Sequence, residues 1–294
     1  MFQPTDHNVD LSEEEFRLLR DLIHERFGLY FDDNQRPSLR TRLAGRLATL
    51  DLSSFEDYYH YLRFGPQRGE ELLRMVTHLT NNETYFYREM PQLQVFAETV
   101  IRSLREAKAE TSARTVRVLS AGCSTGEEAY SLAMIVYDSG QFFWGWEVQV
   151  IGIDVDEVAL DKARKAVYHH NSFRSLSPAV MQRHFVKTAV GAAQVKEGIR
   201  RMVIFRQGNI VEGGTYEGLP PLDVIFCRNV LIYFSDAMIL KVVRLFHYAL
   251  VPGGHLFLGH AESLSRITDL FTPIRFQGAM VYRKAGEPAR AEAP

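Results

Sequence analysis

Residues Val116-Arg117-Val118-Leu119-Ser120-Ala121-Gly122-Cys123-Ser124-Thr125-Gly126-Glu127-Glu128-Ala129-Tyr130-Ser131 run from a β-branched stretch through small residues into an amphipathic helix pattern without a gap. A strand, glycine turn and helix in that order bring backbone N–H groups and a helix N-terminus up against a polar ligand. Glu127 and Glu128 open the helix. Acids there repel a pyrophosphate, but they accept hydrogen bonds from ribose hydroxyls or an ammonium group. The chemistry favours S-adenosylmethionine over a dinucleotide. Asp154 ends the next strand pattern, Ile151-Gly152-Ile153-Asp154, where an acid binds both ribose hydroxyls of an adenosine or else caps the following helix. With the glycine turn beside it, the ribose role is the stronger expectation.

Two further spans carry reactive side chains. Asp223-Val224-Ile225-Phe226-Cys227-Arg228-Asn229-Val230-Leu231-Ile232-Tyr233-Phe234 is a buried strand that ends in polar residues, at the sheet edge where ligands bind. Asn229 offers an amide and Tyr233 a hydroxyl. Asn209, after Phe205-Arg206-Gln207-Gly208, sits where a loop reads an adenine edge. Leu79-Thr80-Asn81-Asn82-Glu83-Thr84-Tyr85-Phe86-Tyr87-Arg88-Glu89 packs amide, hydroxyl, aromatic and arginine side chains more densely than a bland linker would. His169 and His170 have no ligand-spaced companion, so no metal site is expected.

The elements that must position these residues fall into two groups. Residues 1–88 read as helices only. Ser12 and Glu15 form a capping box ahead of an apolar face of Phe16, Leu19, Ile23 and Phe27, with Gly28 as the stop. Pro37 opens a second helix whose stripe is Leu39, Leu43, Leu47 and Leu50, and which carries Arg36, Arg40, Arg42 and Arg46. Ser53 with Glu56 starts a third, and Leu72, Leu73, Val76 and Leu79 line a fourth. From residue 89 to 284 strands and helices alternate. Strands are expected near 116–121, 148–153, 203–206, 223–227 and 254–259, with helices near 91–107, 127–138, 157–167 and 236–250. That rhythm predicts an α/β domain, a parallel sheet with helices on both faces. Leu250-Val251-Pro252-Gly253-Gly254 ends a helix and begins a strand. Residues 276–283 read as a final strand, the second arm of a hairpin. Short strand patterns joined by glycine turns, at about 184–202, predict a small antiparallel β insertion. Residues 285–294 read as a disordered tail.

A charge of −2 argues against a nucleic-acid binder that depends on a global basic field. Two cysteines form no disulfide framework, no signal-peptide pattern opens the chain, and the apolar runs are strand-sized. A cytoplasmic protein, neither membrane-inserted nor bound to nucleic acid, is expected.

Taken together, Asn82-Glu83-Thr84-Tyr85-Phe86-Tyr87-Arg88-Glu89, the Ser120-to-Tyr130 turn and Phe226-Cys227-Arg228-Asn229-Val230-Leu231-Ile232-Tyr233-Phe234 resemble the signatures of the chemotaxis receptor methyltransferase family (CheR-type), over the chain from the helical region to about residue 284. The resemblance implies a class I, Rossmann-like S-adenosylmethionine-dependent methyltransferase domain behind an all-α domain. It implies methyl transfer to glutamates of chemoreceptors, with S-adenosylhomocysteine as the second product; a monomer is expected. Asn82, Thr84, Arg88, Gly122, Glu127, Asp154, Arg228 and Asn229 are then expected to hold the cofactor. Asn209 and Ile210 are expected to flank the adenine, and Arg88 and Tyr233 to lie beside the transferred methyl. Arg36, Arg40, Arg42 and Arg46 are candidates for meeting the acidic receptor helices. Gly191 to Gly198 is a few residues shorter than in members that dock a receptor-tail peptide there, so a tether-independent enzyme is expected. A methyltransferase for a small molecule or RNA, and a non-catalytic cofactor sensor, are the alternatives. A glutamate acceptor has a pKa of about 4.3 and is anionic at neutral pH, so no general base is required.

Overall fold

In the computed structural model, which describes residues 9–80, 83–109 and 114–285, the chain divides into two compact units. One holds the described residues below Glu83 together with Tyr233–Ser235. The other holds Glu83–Ile232 and the described residues from Asp236 on.

The described residues of the first unit form four α-helices and a short 3-10 turn. Ser12 caps Glu13–Phe27 (α1): its hydroxyl accepts the Glu15 N–H, and the Glu15 carboxylate accepts the Ser12 N–H at 2.8 Å. Gly28 ends that helix in the left-handed conformation, φ 76°. Pro37 lies in the first turn of Arg36–Leu50 (α2), which buries Leu39, Leu43 and Leu47 but only half-buries Leu50. Ser54, one residue later than the sequence pattern places the cap, accepts from Asp57 N and starts Phe55–Phe64 (α3). Arg68–Leu79 (α4) completes the unit.

One expected surface residue is inside it. Arg46 is 9% exposed, and its guanidinium grips Glu71 at 2.8 and 2.6 Å while Tyr58 donates to the same carboxylate at 2.8 Å. A buried arginine with a bidentate partner is not available to a receptor helix, so Arg46 is withdrawn from the candidate contact surface. The cause is tertiary: α2 and α4 pack together, and a buried Glu71 without its cation would be a large penalty. Arg36 and Arg42 are exposed, Arg40 is half-buried, and Arg42 donates to the Leu79 carbonyl.

The second unit begins with Met90–Val95 (α5), which passes through a π turn at Phe96–Val100 into Ile101–Ala109 (α6). The elements that follow are Thr115–Ala121 (β1), Glu127–Asp138 (α7), Glu147–Asp154 (β2), Glu157–Lys165 (α8), Val167–His169 (β3), Pro178–His184 (α9), Phe185–Ala189 (β4), Ala192–Val195 (β5), Glu197–Arg200 (α10), Val203–Gln207 (β6), Leu222–Cys227 (β7), Asp236–Ala249 (α11), Leu250–Leu258 (β8), Phe271–Phe276 (β9) and Ala279–Lys284 (β10). The large sheet runs β6-β2-β1-β7-β8-β10-β9, parallel through β8 and antiparallel at β10 and β9. Central β1 pairs Ser120 with Gly152 on one side and with Phe226 on the other. Its neighbour β7 is buried along its whole length, as a strand covered on both faces must be. Phe226 and Phe257 stack at 4.3 Å, with Phe96 edge-on to Phe226 at 5.2 Å.

Two strand expectations are corrected. The small sheet takes its third strand from β3, upstream of the stretch where the pattern predicts the insertion, in the order β3-β5-β4. Val203–Gln207 joins the large sheet beside β2, as expected for a strand near 203–206. The final strand pattern starts too early, because Phe276 ends β9 and the hairpin turns before β10. Among the described residues no helix is long and apolar enough to cross a membrane. The expected tail, beyond Ala285, lies outside the described residues.

Candidate cofactor and active site

β1 delivers the chain to the carboxyl edge of the sheet, where Gly122 (φ 76°) and Gly126 (φ 92°) turn it into α7. Gly122 N and Cys123 N donate to the Ile153 carbonyl at 2.8 and 3.0 Å, which ties the turn to the end of β2. Glycine is required at Gly122 for a second reason, since a Cβ there would lie 2.6 Å from Val230 Cγ2. The turn is thus packed against the segment after β7.

Asp154 closes β2 with both oxygens engaged: Oδ2 accepts Ser124 N at 2.7 Å and Oδ1 accepts Asp156 N at 2.9 Å. Its backbone carbonyl accepts Gly208 N at 2.9 Å, which brings the Asn209–Ile210 loop alongside. The N-cap of α8 is Asp156, not Asp154, with acceptance from Val158 N and Ala159 N. Asp154 is thereby left over from the capping role that competed with ribose binding. Asn209 organises its own loop, accepting Val211 N and donating to Glu212, both at 3.3 Å. Ile210 is buried, and its carbonyl accepts the Tyr216 hydroxyl at 2.9 Å.

Glu127 is 2% exposed and takes hydroxyl hydrogen bonds from Thr125 at 2.6 Å and Ser172 at 2.9 Å. Burial pushes the carboxyls of Glu127 and Asp154 above their ordinary values, against those hydrogen bonds. Neither has an ion-pair partner among the described residues. Ser124 Oγ is buried there with no hydrogen-bond partner among the described residues. Two carboxylates and a hydroxyl gathered around a glycine turn fit a ligand that brings hydroxyl donors and positive charge, as S-adenosylmethionine does.

Glu128, the second of the two acids that open α7, is the hub of a second cluster. Its Oε1 accepts from Ser120 Oγ and its Oε2 from Arg228 Nε, both at 2.7 Å. Arg228, 6% exposed, also donates through Nη1 to the Arg88 carbonyl at 2.7 Å. Asn229 Nδ2 donates to Glu89 Oε1 at 3.1 Å, and the His260 ring reaches the same oxygen at 3.1 Å. The Arg88 guanidinium donates to the Glu83 carbonyl at 2.8 Å. Beside it Arg174 lies 3.7 Å over the Tyr85 ring and pairs with Glu83 at 2.7 Å. Phe86 anchors this span by packing on Tyr168, Phe173 and Phe185. Thr84 and Arg88 are half-buried.

Ser124, Tyr87, Glu89 and Asn229 all hold left-handed backbone, with φ between 48° and 61°. Such conformations cost energy in non-glycine residues and gather where a site over-determines the chain. Tyr233 lies with the first unit, its carbonyl accepting Tyr30 N at 2.8 Å while Phe234 bridges Leu29. Asn82 lies outside the described residues. Pattern reading missed Glu128, Glu89 and Ser172. The Glu127-Glu128 pair was visible, but not which acid meets a cation, because Arg228 is distant in the chain.

A parallel sheet of this order, with a glycine turn after its central strand and unpaired buried acids at the carboxyl edge, defines an S-adenosylmethionine-dependent methyltransferase of class I. A family model described as the CheR methyltransferase SAM binding domain matches residues 82–280, and one described as its all-alpha domain matches residues 14–80. The chain belongs to the CheR methyltransferase family. It is 34% identical to chemotaxis protein methyltransferase 2 of Vibrio cholerae, covering 95% of each chain. It is also 34% identical to the chemotaxis protein methyltransferase of Escherichia coli, covering 92% of this chain and 91% of that one. S-adenosylmethionine is its cofactor.

Proposed function

We propose that this enzyme methylates glutamate side chains of chemoreceptors from the cytoplasmic side, as a monomer, giving glutamate methyl esters. When bound, S-adenosylmethionine supplies a methyl on a sulfonium; the carboxylate oxygen takes the methyl, the S–C electron pair stays on sulfur, and no proton moves.

The residues of the chain then have to bind, align and exclude water. Glu127, Asp154, Asn209, Ile210, Arg228, Asn229, Thr84 and Asn82 hold the cofactor, on this proposal, around the Gly122 turn. Arg88 orients the acceptor carboxylate, with the Tyr233 hydroxyl as its companion. One arginine is a workable clamp: charge is lost as the ester forms, so a stronger cationic grip would hold the ground state and slow transfer. The observation that carries the proposal is the Arg228 bridge, because it fastens the Arg88 backbone to the first turn of the cofactor helix. Receptor contact falls to Arg36, Arg40 and Arg42. The short β4–β5 turn at Gly191 supports action without a receptor-tail tether.

The test is transfer of labelled methyl from S-adenosylmethionine to receptor-containing membranes, with receptors carrying or lacking their C-terminal peptide. Base-labile label released as methanol at equal rates from both is expected. Label that resists base, or appears only on RNA or small molecules, would sink the glutamate assignment. Dependence on the peptide would sink the tether-free one.

A further inference from the structure

Glu262 lies just past β8 in Gly259-His260-Ala261-Glu262, where no motif marks it. Its two oxygens accept four backbone N–H groups: Gly259 at 2.5 Å and Asn229 at 3.0 Å on Oε2, Val230 at 3.0 Å and Ile232 at 3.2 Å on Oε1. Backbone donors converging on one carboxylate form an anion nest. Burial raises the Glu262 carboxyl's pKa, and the N–H groups of Gly259, Asn229 and Ile232 oppose that rise.

What the nest holds is the corner after β7. Asn229 sits there at φ 61°, a left-handed conformation that asparagine tolerates better than most residues. The Asn229 side chain then reaches Glu89. Val230 is pressed onto the Gly122 turn so closely that no Cβ fits between them. Gly259 is hemmed in the same way, since a Cβ would meet Glu262 Oε2 at 2.7 Å and Asn229 N at 2.9 Å.

We propose that Glu262 is a positioning residue for methyl transfer: its carboxylate shapes the Arg228–Val230 corner, which in turn sets the Gly122 turn and the Asn229 side chain for the cofactor. This inference rests on the cofactor-binding role of that corner given above. Glu262 itself touches neither reactant.

Full-length wild type, Asn229→Ala, Glu262→Gln and the double variant are titrated with S-adenosylhomocysteine by calorimetry, and their kinetic constants are measured. Glu262→Gln puts an amide N–H₂ against N–H donors, so binding is expected to weaken by roughly tenfold or more, with KM for S-adenosylmethionine rising and KM for the receptor little changed. The double variant is expected to lose less than the two single losses combined, as coupled residues do. If Asn229→Ala binds like wild type, the cofactor role of the corner fails and the inference with it. If Asn229→Ala weakens binding while Glu262→Gln melts earlier yet binds normally, the inference alone is overturned. Should Glu262→Gln not fold, Val230→Ala takes its place: weaker binding supports the chain of contacts, and unchanged affinity overturns it.

Discussion

Arg228 Nε donates to Glu128 Oε2 at 2.7 Å across a sequence separation of 100 residues, and the same guanidinium holds the Arg88 carbonyl. Three signature segments are locked by one buried cation. Removing it leaves the largely covered Glu128 without its cation, with only the Ser120 hydroxyl as partner, which costs up to about 3 kcal/mol. Arg228→Ala is therefore expected to lower unfolding free energy by that order in urea. Adding Glu128→Gln should restore a large part of it; a simple sum of two losses would contradict the coupling.

The acids at the turn predict a pH effect with a definite sign. A carboxyl whose pKa is raised in the folded state keeps its proton there after the unfolded chain has released it. As pH rises from the ordinary carboxylate range through the raised values of Glu127 and Asp154, the free protein loses stability. A cationic ligand with hydroxyl donors favours the ionised forms, so affinity for S-adenosylmethionine should rise across that window. Calorimetry in buffers from the carboxylate range to neutrality measures it, and Glu127→Gln should flatten the dependence.

Arg88→Ala is expected to lower kcat by roughly 100-fold, the scale of a misaligned reacting pair. Circular dichroism should show intact folding, since the Arg88 guanidinium meets one backbone carbonyl, that of Glu83, and the face of Tyr85, with no buried ion pair among the described residues. Unchanged turnover would remove its catalytic role.

Two glycines with nearly the same backbone should respond differently to alanine. Gly191 (φ 74°) has open space around a Cβ, so Gly191→Ala should cost only the roughly 1–2 kcal/mol of left-handed strain. Gly122 (φ 76°) adds the collision with Val230. Gly122→Ala should therefore destabilise further and also weaken S-adenosylhomocysteine binding, which Gly191→Ala leaves alone; melting curves and titrations read both.

Arg36 and Arg42 are exposed residues on α2, whereas Arg46 is buried on Glu71. If α2 meets an acidic receptor surface, Arg36→Glu with Arg42→Glu should slow methylation at low ionic strength by about tenfold and converge towards wild type as salt screens the pair. A salt-independent rate would end the steering role.

The sequence by itself determined what short-range physics decides. The capping box at Ser12, the Pro37 helix start, the limits of α7 at Glu127 and Asp138, and the positive-φ turn at Gly122 follow from patterns within a few residues of one another. The combination of the glycine turn, the Arg88 span and the Arg228-Asn229 corner was enough to identify the family. Only the tertiary structure decided which charges are spent inside. Arg46 goes to Glu71, Glu128 rather than Glu127 takes Arg228, and Glu262 holds a corner that no local motif connects to it. It also gave the small sheet its third strand from β3, upstream of the stretch where the insertion was expected. Local periodicity cannot say any of this, because a strand pattern is the same in either sheet. A buried charge is assigned by whichever distant partner the fold brings within hydrogen-bond reach.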